Sequence, residues 1–357
     1  MRKLLTLLGV VAGLVPTSVA YGATWHVAVG EQARPPAGTP KATSLNQFMP
    51  SRLTIDAGDA VTFSSASFHT VTFLGGGKPP GLFVPDPAGG TYTGVKGADA
   101  SQFFFEGLAK FIYNPVAFGP AGGKTITGAG PVSTGVLAPN GPKQKFVTAT
   151  YTFPKPGNYR LVCDIHPGMK VDVVVKPKGA AVPRTPSQVD GDILTQQAAG
   201  WAKAAALEKA AKPAANSVAA GIGGSVALLA FYPKVLKVKV GTTVSFVNKS
   251  ASEVHDAAFG PRKFIEGFMK TYDKLPAGPN SPNQVAPVLP YGTEAKGEYS
   301  YDGANHGNGF LVTPLTAGTK LVPLPKVASV KFTKPGTYKY FCLIHGPDMS
   351  GTIVVTP

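Results

Sequence analysis

Thr152-Phe153-Pro154-Lys155-Pro156-Gly157-Asn158-Tyr159-Arg160-Leu161-Val162-Cys163 and Lys331-Phe332-Thr333-Lys334-Pro335-Gly336-Thr337-Tyr338-Lys339-Tyr340-Phe341-Cys342 are one pattern written twice. Phe, Lys-Pro-Gly, Tyr and Cys recur at a constant offset of 179 residues. Upstream, Phe48-Met49-Pro50 and Phe231-Tyr232-Pro233 open a second match at an offset of 183, which runs through Gly58/Gly241 and Val61/Val244 to Phe63/Phe246. The chain is therefore a duplicated unit. Within each copy apolar residues alternate around a glycine turn: Leu53, Ile55, Val61 and Phe63 in the first, Leu236, Val238, Val244 and Phe246 in the second. Period-two alternation broken by Gly and Pro is the signature of half-buried strands joined by turns. Short strands follow each Lys-Pro-Gly turn (159–163, 338–342), and a last strand closes each copy (171–175, 352–355). A Greek-key sandwich or barrel suits that order.

Each copy also carries a set of soft and borderline ligands. Cys163-Asp164-Ile165-His166-Pro167-Gly168-Met169 and Cys342-Leu343-Ile344-His345-Gly346-Pro347-Asp348-Met349 place Cys, His and Met in one loop between two strands. A tight loop converges three donors, and its Pro and Gly permit the turn. A second imidazole is available just past the upstream strand, at His69 and His255. One thiolate, two imidazoles and a weak thioether are the donors of a blue-copper site. The expected metal ligands are thus His69, Cys163, His166 and Met169 in one copy and His255, Cys342, His345 and Met349 in the other. Four of the six histidines and both cysteines fall into these two sets. A buried Cys alone is a small hydrophobe, but the joint pattern, present twice, is not explained that way. Zinc is the chemical rival for Cys/His donors; a single thiolate with a neighbouring Met favours copper. The same context argues against a disulfide between the two cysteines.

Composition sets the frame. The chain has 357 residues, with 43 Gly and 34 Pro, 15% charged and 43% hydrophobic residues. That suits two loop-rich β domains and not disorder. Arg2 and Lys3, the apolar run Leu4 to Val15 and the small residues Ser18-Val19-Ala20 read as a secretory signal cleaved after Ala20. The run is too short for a bilayer span of about 20 residues, and no Cys near the cleavage point supports a lipid anchor. The formal charge of +15 is carried by scattered Lys and Arg, without the clustering or motif of a nucleic-acid binder. It reads as a solvated basic surface or as steering toward acidic partners. Between the copies, Ser187-Gln188-Val189-Asp190 resembles a capping box, and the Ala-rich run to Lys212, stopped by Pro213, predicts a spacer helix.

On these motifs both copies resemble cupredoxins of the plastocyanin/azurin family. The resemblance rests on Lys-Pro-Gly-x-Tyr before each Cys, the His-Pro-Gly-Met or His-Gly-Pro-Asp-Met exit, the upstream Gly turn and the distant His. It covers about two-thirds of the chain and implies an all-β fold: two tandem cupredoxin-like Greek-key sandwiches joined by a short Ala-rich helical linker. The expected boundaries are 1–20 for the signal, 21–178 and 224–357 for the domains, and 179–223 for the linker. The resemblance further implies two type 1 copper ions per chain, Cu(I)/Cu(II) cycling, and His166 and His345 as solvent-edge ligands through which electrons pass. Two departures stand out. Thr70 and Asp256 follow the distant histidines where the family often has Asn. The His-to-Cys spacings of 94 and 87 positions are long, with insertions carrying Phe103-Phe104-Phe105, Phe111, Tyr113 and Phe118 in one copy and residues 280–301 in the other. These insertions read as cover for the sandwich or as partner-docking loops.

The same resemblance frames the question of catalysis. Nitrite reductases and multicopper oxidases of the wider superfamily flank the type 1 Cys with histidines that feed a second copper centre. Here Cys163 lies between Val162 and Asp164, Cys342 lies between Phe341 and Leu343, and no His-x-His pair occurs. Only His26, near the first strand, and His306, expected in an exposed loop, remain. The reading is a non-enzymatic, exported electron carrier (periplasmic, cell-envelope or extracellular) serving redox partner proteins with acidic docking surfaces, with no nucleic acid and no transmembrane segment after signal cleavage. The alternative is a copper-handling protein for storage, delivery or tolerance. With five Met, two of them already axial candidates, the chain is not Met-rich, which favours the carrier.

Overall fold

A computed structural model describes residues 22–140, 144–275, 283–297 and 299–357. The signal expected over 1–20 lies outside the described residues. Two β-sandwiches share one strand order. In the first, one sheet runs Val147–Thr152, Ala60–Ser65, Thr24–Val29, Phe48–Met49, and the facing sheet runs Arg52–Asp56, Lys170–Lys176, Gly157–Val162, Thr72–Phe73, Val132–Thr134, Pro120–Ala121. The second repeats this as Val327–Phe332, Thr243–Ser250, Ser217–Gly223, Ala227–Tyr232 against Val235–Lys239, Gly346–Thr356, Gly336–Cys342, Ala258–Phe259, Leu311–Val312. In both, the opening strand runs parallel to the strand after the glycine turn. The alternation read from the sequence is realised: Leu53, Ile55, Val61 and Phe63 point inward with Leu161 and Val173, and Val244 and Phe246 do so with Tyr340 and Ile353.

The helix between the sandwiches differs from its expected role. It spans Pro186–Ala210 and is capped by Thr185, whose side chain accepts from the Gln188 N–H while the Gln188 side chain accepts from the Thr185 N–H. The capping box thus sits two residues before the expected Ser187, because Pro186 has its ring and fixed φ at the first helical position. Val189, Ile193, Gln197, Trp201 and Ala204 form a buried stripe at helical spacing. They pack on the Thr24–Val29 and Phe48–Met49 strands of the first sandwich and on Ala227–Tyr232 of the second. Gly200 lets Leu45 approach: a Cβ there would lie 2.9 Å from the leucine methyl. The helix is a wedge between the sandwiches and not a spacer. The strand Ser217–Gly223, in the stretch assigned to the linker, opens the second sandwich.

Two further ties join the halves. Thr43–Ser44, from the first half, adds to the edge of the second half's sheet beside Ala227–Tyr232. The long insertions form a shared apolar core. Tyr92, Phe103, Phe105, Tyr113 and Phe118 from the first half pack with Ile265, Phe268, Val288, Leu289 and Phe310 from the second. Polar groups inside this core find partners across it, as buried polar groups must. The Tyr92 hydroxyl donates to the Val285 carbonyl at 2.6 Å, and Tyr113 donates to Asp273 at 2.9 Å. Asn283 bonds the Tyr113 backbone at both its N–H and its C=O. The insertions therefore cover each other as well as the sandwiches. His306 sits in this seam and not in an exposed loop: its Nε2 lies 2.8 Å from Glu294, and its ring lies 4.3 Å from that of Phe103. His26 lies in the first strand and pairs with Asp190 of the helix at 3.0 Å.

Candidate metal centres

The repeated sequence produces repeated geometry. In the first half His69 and His166 bring their Nδ1 atoms to 3.0 Å, with Cys163 Sγ at 3.9 Å and 3.5 Å from them. In the second half His255 and His345 do so at 3.1 Å, with Cys342 Sγ at 3.9 Å and 3.5 Å. Both cysteines are free and buried. Each distant histidine hangs from a short strand pairing, His69 with Leu137 and His255 with Thr316. Each Cys stands at the end of the strand after its Lys-Pro-Gly turn, so the sandwich frame sets where the thiol lies. In the first loop Cys163 N–H donates to the Met169 carbonyl and Met169 N–H to the His166 carbonyl, closing the turn that carries three of the residues. Met169 and Met349 are buried in the same apolar clusters as their cysteines.

Two glycines that the sequence reading missed shape these sites. Gly30 (φ +77°) lies against His69 and Gly221 (φ +63°) against His255; a Cβ at either would come within 2.3 Å and 2.1 Å of the ring Nε2. Positive φ and close approach are both glycine's province. These Nε2 atoms are buried without a hydrogen-bond partner, so the backbone presses each ring and leaves Nδ1 as the atom aimed at the sulfur. Three donors around a small cation at bond lengths of roughly 2.0–2.3 Å stand about 3.5–3.8 Å apart, close to the observed sets. A soft thiolate with two imidazoles, and a thioether on the same loop as the thiolate, is a donor set that copper takes. The residues fit the metal.

The surroundings of the two sulfurs differ. At Cys163 the Thr70 N–H points to Sγ at 3.4 Å, and the Thr70 hydroxyl accepts from Asp164 N–H at 2.8 Å. At Cys342 the equivalent residue is Asp256, whose carboxylate accepts from Leu343 N–H at 2.7 Å. Burial opposes charge on Cys163, but His166 and His69 outweigh it and hold the thiol well below its usual range. Burial and Asp256 together push the Cys342 thiol up. Burial pushes Asp256 up to about 7; burial, with Cys163 adding to it, pushes Asp164 up to about 6.

The histidines expected at the solvent edge are not at solvent. His166 is 7% exposed and the His345 side chain 12% exposed, because each half covers the other's loop. Between them lies Glu253, 8% exposed, with Oε1 3.4 Å from His166 Nε2 and Oε2 3.3 Å from His345 Nε2. Asn46 reaches in from the first half and donates to the same carboxylate and to Ser252. Burial works against the charge on Glu253, but His166 and then His345 hold its carboxyl at about 2. Burial likewise opposes charge on the rings, yet Glu253 and Cys163 raise His166 to about 9, and Cys342 with Glu253 raises His345 to about 10. Glu253 stands two residues before His255, on the same side of an extended chain. That spacing was visible in the sequence; its position between two sites was not.

Residues 218–356 match the family described as copper binding proteins, plastocyanin/azurin family. Over these residues the C-terminal half is similar to that family. Its triplet His255, Cys342, His345 has a counterpart in His69, Cys163, His166 of the other half, and each group could hold a metal ion. Similar solved structures include a Cu(I) amicyanin variant (22% identity, TM-score 0.22, 41% of this chain and 88% of that one). Auracyanin A, a "blue" copper protein from the green thermophilic photosynthetic bacterium Chloroflexus aurantiacus, is 23% identical at a TM-score of 0.25, over 41% of this chain and all of that one. A fern plastocyanin mutant is 19% identical at 0.21, over 39% and 99%. A search of curated protein sequences returns no match. Among the described residues no helix is long and apolar enough to cross a membrane.

Proposed function

We propose that this chain is an exported blue copper protein with two mononuclear type 1 sites, acting as a one-electron carrier without catalysis of its own. The ligands are His69, Cys163, His166 and Met169 in the first domain, and His255, Cys342, His345 and Met349 in the second, which the strand Ser217–Gly223 opens. The observation that carries this reading is the near-identity of the two His–Cys–His triplets. Copper held there supplies one-electron exchange between Cu(II) and Cu(I). The protein supplies a fixed frame: a ring pressed by glycine backbone, a thiol at a strand end, and burial that keeps water from the sulfur. Such rigidity suits a carrier, since donors held in place move little when charge changes. It suits delivery of copper poorly, because exchange needs ligands that a partner can reach, and here they lie beneath the other half.

We read the histidines outside the triplets as structural. His26 and His306, the histidines outside the triplets, lie in separate ion pairs with Asp190 and Glu294. Export rests on the sequence pattern of residues 1–20, and redox partners with acidic docking surfaces on the basic charge. The test is copper stoichiometry and visible absorption of the purified chain after Cu(II) loading, with Cys163→Ser and Cys342→Ser alongside. Two coppers per chain and an intense thiolate-to-copper band, roughly halved by each substitution, are expected. A colourless protein that takes Cu(I) or zinc would overturn the carrier reading in favour of copper handling.

A further inference from the structure

The two sites share a residue, Glu253, that belongs to neither donor set. One buried carboxylate meets the Nε2 atoms of His166 and His345, one on each oxygen. Among the described residues no Lys or Arg pairs with it; its ion-pair partners are the two rings. Asn46 fixes its orientation from the opposite half, and Asn248 holds its backbone carbonyl at 3.1 Å. The tautomer follows from geometry. In both rings Nδ1 faces the sulfur and the other histidine, so a cation on Nδ1 leaves the ring proton on Nε2, pointing at Glu253. A carboxylate that receives a ligand histidine's N–H raises that ligand's basicity. Here a single carboxylate receives the His345 Nε2–H at 3.3 Å and stands as an ion-pair partner 3.4 Å from His166 Nε2, so its charge acts on both sites at a buried seam where charges are weakly screened.

We propose that Glu253 makes the two copper sites one coupled pair, which exchanges an electron inside the chain and in which each site's affinity for an electron depends on the oxidation state of the other. The proposal rests on the reading that both sites hold copper. Oxidation at one site puts positive charge on its ring and strengthens its Nε2–H as a donor. The carboxylate's charge is then drawn to that ring, and less remains for the other, so the second oxidation is harder than the first. The exchange balances without a proton or co-reactant. Copper held by His255, Cys342, His345 and Met349 would give up one electron to copper held by His69, Cys163, His166 and Met169, so that one would be oxidised as the other is reduced. The path between the rings is one hydrogen bond at 3.3 Å from His345 and one ion-pair gap at 3.4 Å to His166, across a single carboxylate.

The experiment is a spectroscopically monitored potentiometric titration of the full-length copper-loaded chain, compared with Cys163→Ser and Cys342→Ser, each holding one site. Copper content and the thiolate band are read first; fewer than two coppers in the unsubstituted chain refutes the two-site reading itself, separately from the coupling. With two coppers present, emptying one site should shift the other's electron affinity at least tenfold, which is 59 mV for one electron. In Glu253→Gln, which keeps the shape and removes the charge, that shift should fall below threefold while both potentials rise. Glu253→Asp keeps the charge but is too short to reach both rings, and serves equally if the glutamine variant does not fold: its coupling should also fall. No shift in the unsubstituted chain, or an equal shift in the Glu253 variants, overturns the proposal.

Discussion

The two halves agree in their donor atoms and differ in what stands beside the sulfur. Cys163 has a hydroxyl neighbour in Thr70, while Cys342 has a carboxylate neighbour in Asp256. The donor distances match within 0.1 Å between the halves. The strand frame therefore fixes the donors, and residues adjacent to the ligands are free to tune them. A backbone N–H reaches each sulfur, from Thr70 and from Asp256, so the asymmetry is the Asp256 carboxylate, and negative charge beside a thiolate favours the oxidised metal. The comparison predicts that the Cys342 site has the lower potential, so that an electron arriving there moves on to the Cys163 site.

The largest expected effect attacks what the halves share. Gly221→Ala and Gly30→Ala each force a Cβ onto a histidine ring at positive φ. Each should cost about 2–4 kcal/mol and empty its own site while sparing the other. Thermal unfolding and copper stoichiometry check this; retention of both coppers in Gly221→Ala would show that the ring position is not set by the backbone. A smaller effect attacks what differs. Above pH 7, where Asp256, pushed up to about 7 by burial, is ionised, Asp256→Asn keeps the acceptor for Leu343 N–H and removes the charge, and should raise the Cys342-site potential by about 59 mV, a tenfold change. An unchanged potential there would break the assigned asymmetry. The smallest effect leaves the difference intact. Tyr92→Phe removes the hydroxyl bond to Val285 in the shared core and should cost about 0.5–1.5 kcal/mol without separating the two potentials further. Denaturant unfolding beside the same titration reads both.

The ligand sets and strand alternation were legible because they depend on local spacing: Cys, His and Met within one loop, and apolar residues two apart. The asymmetry of Thr70 and Asp256 was legible for the same reason. What escaped depends on contacts between distant residues. Nothing local in Gln188 or Trp201 says that the Ala-rich helix wedges between sandwiches, and the Phe103 to Phe118 insertion needs Phe268 and Phe310 before it becomes a core. The expectation of solvent-edge histidines came from resemblance to proteins in which that edge is free; here the second half occupies it. Gly30 and Gly221 escaped because glycine is abundant in this chain, and only a ring beyond it distinguishes one from the rest.

Glu253 has Ser67 as its counterpart, each two residues before its histidine. A symmetric pair of separate subunits repeats every residue across its axis. Such a pair meeting through these loops would present two glutamates to each other, repelling in a buried seam, or two serines and no charge at all. Writing both halves into one chain removes that constraint, since one half can supply a single carboxylate that both use. Covalent duplication gives this protein something no homodimer of its parts can have: an odd number of charges at the centre of an otherwise even structure.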